Sequence, residues 1–391
     1  MNILFVSDWI NPFDSTYGGA QRSNLLLRAC CRVGIVDVVV FVDGLKSNIE
    51  GCKVVYSGKI QSSHLVGRLK KWVGLLWPWN PSSIYPIDSK KEHIIGRLMA
   101  QKSYDVIVVR YVPDAMLCGL NKYANKLVID MDDVPGEALK ITARKARSIF
   151  NKLYYWAASC LVPITVWRLS KSIKATLFSN VLQVKGKNGF FLPNIPWEEP
   201  SAEYVDFSNT LPSLFFIGKL DHYPNYCGLD WFVEKVWPLI KSKVPNAELR
   251  IGGKVEQQSV VNPYLKNWVK YEGVTILGFV EDINLEYTRC RATISPIFYG
   301  AGTNIKLVES MQRKRVCVTT ICGMRGMDYF FEKGKSILVS DDVEEFSTLC
   351  IRVLTDEAFN HQVAHRAFEQ IENQFCHDVF NRVVEEALNS N

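Results

Sequence analysis

The segment Pro296-Ile-Phe-Tyr-Gly300-Ala-Gly302-Thr303-Asn-Ile-Lys306-Leu-Val-Glu309-Ser-Met311 joins an apolar run to a helical pattern through a glycine-rich turn. The apolar run before it predicts a buried strand, and Thr303 predicts the cap of the helix that follows. Glycines let backbone N–H groups approach an anion closely, and the positive end of a helix attracts it. Lys306 and Glu309 are three residues apart and so share a helix face. This combination suits a ligand with phosphates and sugar hydroxyls, but an ordinary strand-to-helix connection explains the same pattern.

The size and composition of the chain favour two soluble domains. A chain of 391 residues exceeds one typical core, and 48% hydrophobic with 22% charged residues is typical of a globular protein. The sequence has no apolar run of about 18 residues and no signal-peptide pattern, so we expect a cytoplasmic protein. The eleven cysteines form no paired CxxC motif. We interpret them as reduced thiols and expect no metal site.

Charge is distributed unevenly along the chain. Residues 1–195 contain 26 Lys/Arg and 13 Asp/Glu, a net +13, while the remainder contains 20 and 27, a net −7. In two stretches, 68–79 and 144–168, basic residues alternate with aromatic ones; the first includes Arg68, Lys70, Lys71, Trp72 and Trp77. This mixture indicates docking on an anionic membrane surface, although a solvated helix face over a normal core is the alternative. No nucleic-acid-binding motif accompanies the charge, so we expect no nucleic acid partner.

Apolar runs alternate with helical-period segments, which predicts βαβ units and parallel sheets. Strands are predicted at 3–7, 36–42, 105–109, 127–131, 176–179, 214–218, 247–251, 274–277, 292–295, 316–319 and 337–339. Helices are predicted at 20–33, 137–172, 229–240, 305–312, 343–354 and 375–388, with Pro163 expected to kink or split the second.

This organisation predicts an α/β protein with two doubly wound, Rossmann-like domains. We expect an N-terminal domain over 1–195, a proline-rich linker over 196–212, a C-terminal domain over 213–372 and a last helical segment over 373–391. Ligands of such sheets bind outside the carboxyl ends of the strands, so we expect a binding cleft between the two domains.

The loop after the first strand ends in Gly18 and Gly19 at the start of a predicted helix. Their backbone N–H groups suit a diphosphate, but a plain helix N-terminus looks the same. The loop is too long for the G-x-G-x-x-G turn of dinucleotide folds, and neither a P-loop nor a G-x-S-x-G motif occurs in the chain.

Several ordered segments of the second half resemble one known family. They are Phe216-Ile-Gly218-Lys219-Leu-Asp221, Leu249-Arg-Ile-Gly252-Gly253, Ile276-Leu-Gly278-Phe279-Val280 and the 300–311 segment quoted above. Together they resemble the retaining glycosyltransferases of the two-domain GT-B fold, in the group called family 4 or glycosyl transferases group 1. Gly18-Gly19 and Asp130-Met-Asp132-Asp133 match more weakly in the first half.

The resemblance implies a role for each matching residue. Glu309 would bind the ribose hydroxyls of a nucleotide, and the backbone of Gly278, Phe279 and Val280 would meet its base. Lys219, Lys306 and the turn formed by Gly300, Gly302 and Thr303 would hold the diphosphate or the donor sugar. Gly18 and Gly19 would meet the diphosphate from the other domain, and Asp132 would position the acceptor or the donor sugar.

Some positions depart from the family pattern. Ala301 stands where the first glutamate of an E-x7-E pair is common, and Lys219 replaces an arginine. Pro224-Asn225 occupies the region of a usual lysine, whose charge Lys306 would supply. Asp132 stands where the acceptor domain often has a histidine.

The resemblance implies transfer of a sugar from a UDP- or GDP-linked donor to a saccharide or lipid-linked acceptor, with retention of configuration and no required metal or other cofactor. Bacterial surface polysaccharide synthesis at the inner face of the cytoplasmic membrane would be its setting. Two alternatives stay open: a nucleotide-sugar epimerase of the same fold, and a degenerate transferase that serves as an assembly subunit.

Overall fold

The chain divides into two compact units, each described here by itself. The computed structural model describes residues 1–15, 18–45, 49–60, 74–76, 84–132, 134, 136–184, 186–198, 202–255, 261–300 and 303–390. The N-terminal unit comprises Met1–Pro193 and His377–Asn391, and the C-terminal unit comprises Asn194–Cys376. Each unit contains a parallel sheet flanked by helices, which confirms the predicted α/β, doubly wound class.

The N-terminal unit has a seven-stranded parallel sheet in the order β3-β2-β1-β4-β5-β6-β7. Its strands are β1 (Asn2–Ser7), β2 (Ile35–Val40), β3 (Cys52–Ser57), β4 (Val106–Arg110), β5 (Leu127–Asp132), β6 (Ala175–Phe178) and β7 (Gly189–Phe191). Phe5 in the central β1 pairs with Val38 on one side and Val108 on the other. Strands covered on both faces are buried throughout, which explains the continuous apolar run at the start of the chain.

The helices of this unit are α1 (Gly18–Val33), α2 (Ser89–Gln101), α3 (Val112–Leu117), α4 (Gly136–Lys145), α5 (Ile149–Ser172) and α14 (His377–Asn389). A 3₁₀ segment, Leu120–Lys126, precedes β5. The long helical region divides at 146–148, and α5 continues through Pro163, so of the predicted kink or split the split at Pro163 is wrong. Helix α5 packs against α4, whose first residue, Gly136, lies close to the Pro163 ring.

The C-terminal unit has a six-stranded parallel sheet in the order β10-β9-β8-β11-β12-β13. Its strands are β8 (Ser213–Ile217), β9 (Glu248–Gly252), β10 (Val274–Gly278), β11 (Ala292–Ser295), β12 (Val316–Thr319) and β13 (Leu338–Val339). Its helices are α6 (Tyr223–Trp231), α7 (Trp237–Lys243), α8 (Asn262–Trp268), α9 (Ile283–Arg289), α10 (Ile305–Gln312), α11 (Ile321–Met324), α12 (Val343–Thr355) and α13 (Glu357–Gln374). A π-helical turn, Phe232–Val236, joins α6 to α7, where the sequence predicted one regular helix.

The core of the C-terminal unit contains two fully buried tryptophans whose polar edges are satisfied. The indole N–H of Trp237 donates to the backbone oxygen of Glu272 at 2.9 Å, and that of Trp268 donates to Asp230 at the same distance. Both rings therefore contribute their apolar area without leaving a buried donor unpaired. This core fixes the strands whose carboxyl ends form the candidate site.

All eleven cysteines are free thiols, and five of them are buried: Cys30, Cys118, Cys290, Cys317 and Cys350. Among the helices of the described residues, none combines the length and the apolar character needed to span a bilayer.

Candidate functional site

Three neighbouring strands of the C-terminal unit end in closely apposed glycines. The N–H of Gly218, after β8, donates to the carbonyl of Gly252 at 3.1 Å, and the N–H of Gly253 donates to the carbonyl of Gly278 at 2.7 Å. A Cβ on Gly253 would lie 1.9 Å from the carbonyl oxygen of Gly218, so the backbones meet where no side chain fits. These glycines form a ridge of bare backbone at the carboxyl edge of the sheet, where ligands of doubly wound folds bind.

The helix after the glycine-rich turn begins at Ile305, as the sequence predicted. Its N-cap is Asn304, which has an extended backbone and donates from its side-chain amide to the Ser295 hydroxyl at 2.6 Å. The hydroxyl of Thr303 instead accepts a hydrogen bond from the Asn194 amide at 2.8 Å, so the prediction of Thr303 as the cap is wrong. Gly302 and Ala301 lie outside the described residues. The N-terminal, positive end of α10 follows β11 after the glycine-rich turn.

Lys306, in the first turn of α10, lies over the ridge of glycines. A Cβ on Gly218 would be 2.6 Å from Cε of Lys306, so glycine at 218 makes room for the lysine. The ammonium lies 3.2 Å from the side-chain oxygen of Asn225. Burial lowers the pKa of Lys306 to about 8, and the carboxylate of Glu309 opposes this shift. A lysine that is incompletely solvated and lacks a close carboxylate among its described contacts is suited to binding an anion.

Glu309 lies one turn further along α10, with 22% of its side chain exposed. Arg313 approaches its carboxylate to 3.6 Å, and Tyr287 forms a side-chain hydrogen bond with it. Burial raises the pKa of the Glu309 carboxyl, while the positive charges of Arg313 and Lys306 act in the opposite direction. The carboxylate keeps accepting capacity for hydroxyl groups because one side of it faces solvent.

Lys219 and the next helix complete this cluster. The Lys219 side chain is 65% exposed, and its ammonium lies 3.6 Å from Asp221. The buried Asn225 donates to the backbone oxygen of Lys219 at 2.7 Å while its side-chain oxygen faces Lys306. Sequence reasoning treated Asn225 as the occupant of a missing lysine's place and overlooked this bridging role. His222 is the N-cap residue of α6 and is exposed.

The remaining donor-side candidates are Gly278, Phe279, Val280 and Gly300. Gly278 has a positive φ of 68°, and the side chain of Phe279, which follows it, is 71% exposed. Val280 packs against Gly252, whose Cβ would lie 2.7 Å from Cγ2 of Val280. Gly300 also has a positive φ, and a Cβ there would lie 3.7 Å from the Arg325 guanidinium, a cation that sequence reasoning missed.

In the N-terminal unit, two arginines and two aspartates form one buried ion network. Asp130 is fully buried and pairs with Arg22 at 2.7 Å and with Arg110 at 3.0 Å. Asp132, at 24% exposure and with a positive φ of 58°, pairs with Arg110 at 3.1 Å. Arg110 pairs with both aspartates, and its side chain is only 2% exposed, so its role in this unit is structural. Such a network is costly to break, because each charge depends on the others.

Gly18 and Gly19 form the first turn of α1, with Gly18 exposed. The carbonyl of Gly19 accepts hydrogen bonds from Arg110 at 2.5 Å and from the Ser23 hydroxyl at 3.0 Å. Arg110 therefore connects this helix start to Asp132 within the N-terminal unit. The other candidates of this unit, Asp133, Arg68, Lys70, Lys71, Trp72 and Trp77, lie outside the described residues.

The groups at this site suit the recognition of an anion. Within the described ranges, no group of three or more His, Cys, Asp and Glu side chains is arranged to hold a metal ion. The C-terminal unit instead combines a ridge of glycines, two lysines, a helix N-terminus and a half-buried glutamate. These groups suit a diphosphate and adjacent hydroxyls.

Two solved structures show the same fold as this chain. Sucrose-phosphate synthase from Thermosynechococcus elongatus superposes with a TM-score of 0.66 at 12% identity, covering 97% of this chain and 96% of that one. HepE from Anabaena, in complex with UDP, superposes with a TM-score of 0.64 at 13% identity, covering 99% of each chain.

The sequence comparisons agree with the fold. Residues 211–356 match the family model "Glycosyl transferases group 1", so the resemblance to that group is confirmed over these residues. An uncharacterized 44.6 kDa protein in the cps region of Klebsiella pneumoniae is 24% identical over 312 residues, which cover 77% of this chain and 79% of that protein.

Proposed function

We propose that this chain is a retaining glycosyltransferase that moves a sugar from a nucleoside-diphosphate donor, UDP- or GDP-linked, to a saccharide or lipid-linked acceptor in bacterial surface polysaccharide synthesis. The observation that carries the proposal is the position of Lys306 beside the ridge of glycines, with Glu309 one turn away on the same helix. The structure of HepE with UDP and the relative from a cps region support the donor class and the biological setting.

In the proposed complex, Glu309 binds the ribose hydroxyls, and the backbone of Gly278, Phe279 and Val280 meets the base. The diphosphate lies against Lys306, Lys219 and the turn that includes Gly300, Gly302 and Thr303. Gly18 and Gly19 meet the diphosphate from the N-terminal unit, and Asp132 positions a sugar.

Cleavage of the sugar–phosphate bond develops negative charge on the leaving diphosphate and positive charge on the anomeric carbon. Lys306 stabilises the leaving group most effectively, because its incompletely solvated charge is already held in place before the reaction. The acceptor hydroxyl attacks from the side that the diphosphate leaves, and a leaving phosphate oxygen takes its proton. The configuration is thereby retained without a nucleophile from the protein.

The acceptor side includes a membrane surface. Helix α5 has one face buried through Ala158, Val162 and Val166, while an opposite stripe is apolar and exposed. That stripe, which we call the α5 stripe, consists of Ile149, Leu153, Trp156, Cys160, Ile164 and Trp167, with exposures of 39–63% for its hydrophobic members other than cysteine. Its spacing of three and four residues keeps these side chains on one face.

The charge around the α5 stripe points to an anionic bilayer. Residues 138–197 contain ten Lys/Arg and no Asp or Glu. Lys171, near the end of the helix, lies over the Trp167 ring at 3.7 Å. Tryptophan together with basic residues is typical of a helix that lies in the bilayer interface. Peripheral attachment to the cytoplasmic membrane therefore forms part of the proposal.

The first experiment is a thermal-shift series with UDP, GDP and ADP. A ligand that binds the folded state at 100 times its dissociation constant stabilises it by about 2.7 kcal/mol. We expect UDP or GDP to raise the melting temperature of the wild type, and Lys306→Met to reduce the rise. Absence of any rise with all three nucleotides contradicts the proposal.

The second experiment follows the reaction by NMR with the matching nucleotide sugar, with and without a membrane extract as acceptor. Retention predicts a product whose anomeric configuration equals that of the donor. A new sugar formed without acceptor would instead identify an epimerase, and nucleotide binding without turnover would identify an assembly subunit.

A further inference from the structure

A cavity of about 250 Å³ lies in the N-terminal unit. Its lining includes Trp9, which follows β1, Tyr111, which follows β4, and Met131 in β5. Strands β1 and β4 are neighbours, but the chain continues from β1 to β2 on one side and from β4 to β5 on the other. The cavity therefore lies at the point of the sheet where the strand order reverses, which is where doubly wound sheets bind ligands.

Aromatic rings form much of the wall. The ring of Trp9 is 60% exposed and nearly parallel to that of Tyr111, with an interplanar angle of 9° and centroids 6.3 Å apart. Tyr85 adds a third ring. Aromatic faces carry partial negative charge and attract the polarised C–H groups of a flat ring, such as a pyranose.

One charged residue, Asp114, occurs among the described residues that line this cavity. Its side chain is buried, at 4% exposure, and it accepts a hydrogen bond from the backbone N–H of Asp8. Burial, aided by the charge of Asp8, raises its pKa to about 7, although Lys91 and Arg110 act in the opposite direction. At neutral pH the group therefore both accepts and donates hydrogen bonds, as sugar hydroxyls require.

The backbone at Tyr111, whose ring lines the cavity, is strained. Tyr111 has φ 65° and ψ 142°, a conformation that costs a non-glycine residue about 1–3 kcal/mol. The Arg110 guanidinium donates to its hydroxyl at 2.9 Å and stacks 4.6 Å from its ring centroid. The buried ion network thus fixes the ring against the cavity, and strain of this kind is concentrated at binding sites.

We propose that the cavity lined by Trp9, Tyr85, Tyr111 and Asp114 binds one pyranose ring of the acceptor saccharide. The proposal rests on the proposed function, since it assigns the ring to the acceptor. The volume lies just below the range of ligand pockets, which span roughly 300–1,000 Å³, so it fits one ring rather than a chain. The aromatic faces hold the ring, and Asp114 selects its hydroxyls.

The test uses protein labelled with 5-fluorotryptophan and ¹⁹F NMR. Trp9 and Trp156 have nearly equal exposures, 60% and 63%, and Trp156 does not line the cavity, so it serves as an internal control. Trp9→Phe and Trp156→Phe assign their resonances. The probes are the methyl α- and β-pyranosides of glucose, galactose, mannose and N-acetylglucosamine.

We expect at least one glycoside to shift the Trp9 resonance saturably while the Trp156 resonance stays unchanged. Asp114→Asn should raise the dissociation constant about tenfold, because a charged hydrogen-bond partner is lost. Trp9→Leu, at an exposed position that the fold tolerates, should abolish glycoside binding as measured by saturation-transfer NMR. Equal shifts of both resonances, no shift with any glycoside, or unchanged binding by Trp9→Leu would each overturn the proposal.

Calorimetry with UDP and GDP on the same samples separates this proposal from the proposed function. Glycoside binding without nucleotide binding would contradict the proposed transferase function and still support a saccharide site. Nucleotide binding without any glycoside effect would remove the saccharide site alone.

Discussion

Lys306 and Glu309 lie one helical turn apart on α10, and burial moves their pKa values toward each other. The pKa of the lysine is lowered to about 8, and that of the glutamate is raised above its usual range. Both shifts show that the charged forms are disfavoured, because the ammonium and the carboxylate are partly desolvated in the free protein. A ligand that offers an anion to the lysine and hydroxyls to the carboxylate relieves this cost.

Replacement of Lys306 by methionine should weaken binding of UDP or GDP by roughly 10- to 150-fold, which corresponds to the 1.5–3 kcal/mol of a hydrogen bond to a charged group. Isothermal titration calorimetry measures the change. Lys335→Met is the matched control, because Lys335 lies in the same unit, is 57% exposed and pairs with Glu332. Equal losses in the two variants would contradict the role of Lys306.

The affinity for the nucleotide should fall as the pH rises through about 8. The bound anion favours the protonated lysine, so binding takes up a proton above the pKa of the free protein, and the affinity then falls by up to tenfold per pH unit. Titrations between pH 7 and pH 9.5 test this, and Lys306→Met should show a flat profile.

The same pKa shift affects stability with the opposite sign. The ordinary pKa of lysine is 10.5, so between about pH 8 and 10.5 the unfolded chain binds more protons than the folded one. The contribution of Lys306 to the free energy of unfolding therefore rises with pH across that window. A wild-type profile identical to that of Lys306→Met would contradict the shift.

Two glycine substitutions should have different effects. In Gly218→Ala the new Cβ meets the flexible end of Lys306 and φ is 159°, a strained value for alanine, so nucleotide affinity and the melting temperature should both fall. In Gly253→Ala the Cβ meets the backbone oxygen of Gly218 and φ is 152°, so the backbone must move, at a cost of about 1–3 kcal/mol or more. Thermal unfolding and calorimetry together separate the two effects, and equal destabilisation by both would contradict this account.

Removal of one charged side chain from the buried ion network should strongly lower the free energy of unfolding. Asp130→Asn leaves two buried arginines with an incomplete counter-charge and should cost about 3–5 kcal/mol. Asp132→Asn should cost less, because that carboxylate is partly solvated. Hydrogen exchange of the β4 and β5 amides reports on this unit, and similar protection in both variants would argue against the ranking.

Trp156→Ser should reduce flotation with vesicles that contain phosphatidylglycerol about tenfold, since it removes a large apolar side chain from the α5 stripe. Tyr329→Ser is the control, because Tyr329 is 73% exposed but lies in the C-terminal unit. Lys152→Glu should weaken flotation from anionic vesicles and leave neutral vesicles unaffected. Equal flotation of wild type and Trp156→Ser would remove the α5 stripe from the proposal.

The sequence predicted the central strands well because they are buried on both faces and read as continuous apolar runs. It missed β3 (Cys52–Ser57) and β7 (Gly189–Phe191), which are edge strands of intermediate burial and lack such a run. Periodicity carries little information there, because one side of an edge strand has no partner.

The sequence indicated candidate residues for the site but not the contacts between them. Spacing alone placed Lys306 and Glu309 on one helix, but the bridge by Asn225 depends on how α6 approaches β8, which no local pattern encodes. Similarly, the ion pair between Arg110 and Asp130 depends on the register of β4 against β5, in which these two residues lie opposite each other. The hydroxyl of Thr303 bonds to Asn194, which is distant in the sequence, and this contact could not be predicted from a local pattern either.

Helix α14, at the end of the chain, packs against α1, with Phe380, Val384, Ala387 and Leu388 buried. The unit that begins at Met1 is therefore made of two stretches separated by the whole of Asn194–Cys376. During synthesis on the ribosome, its first stretch must wait for the entire second unit to emerge before the last helix covers α1. A nascent chain in this interval exposes an apolar surface, so a chaperone would have its main opportunity to act then.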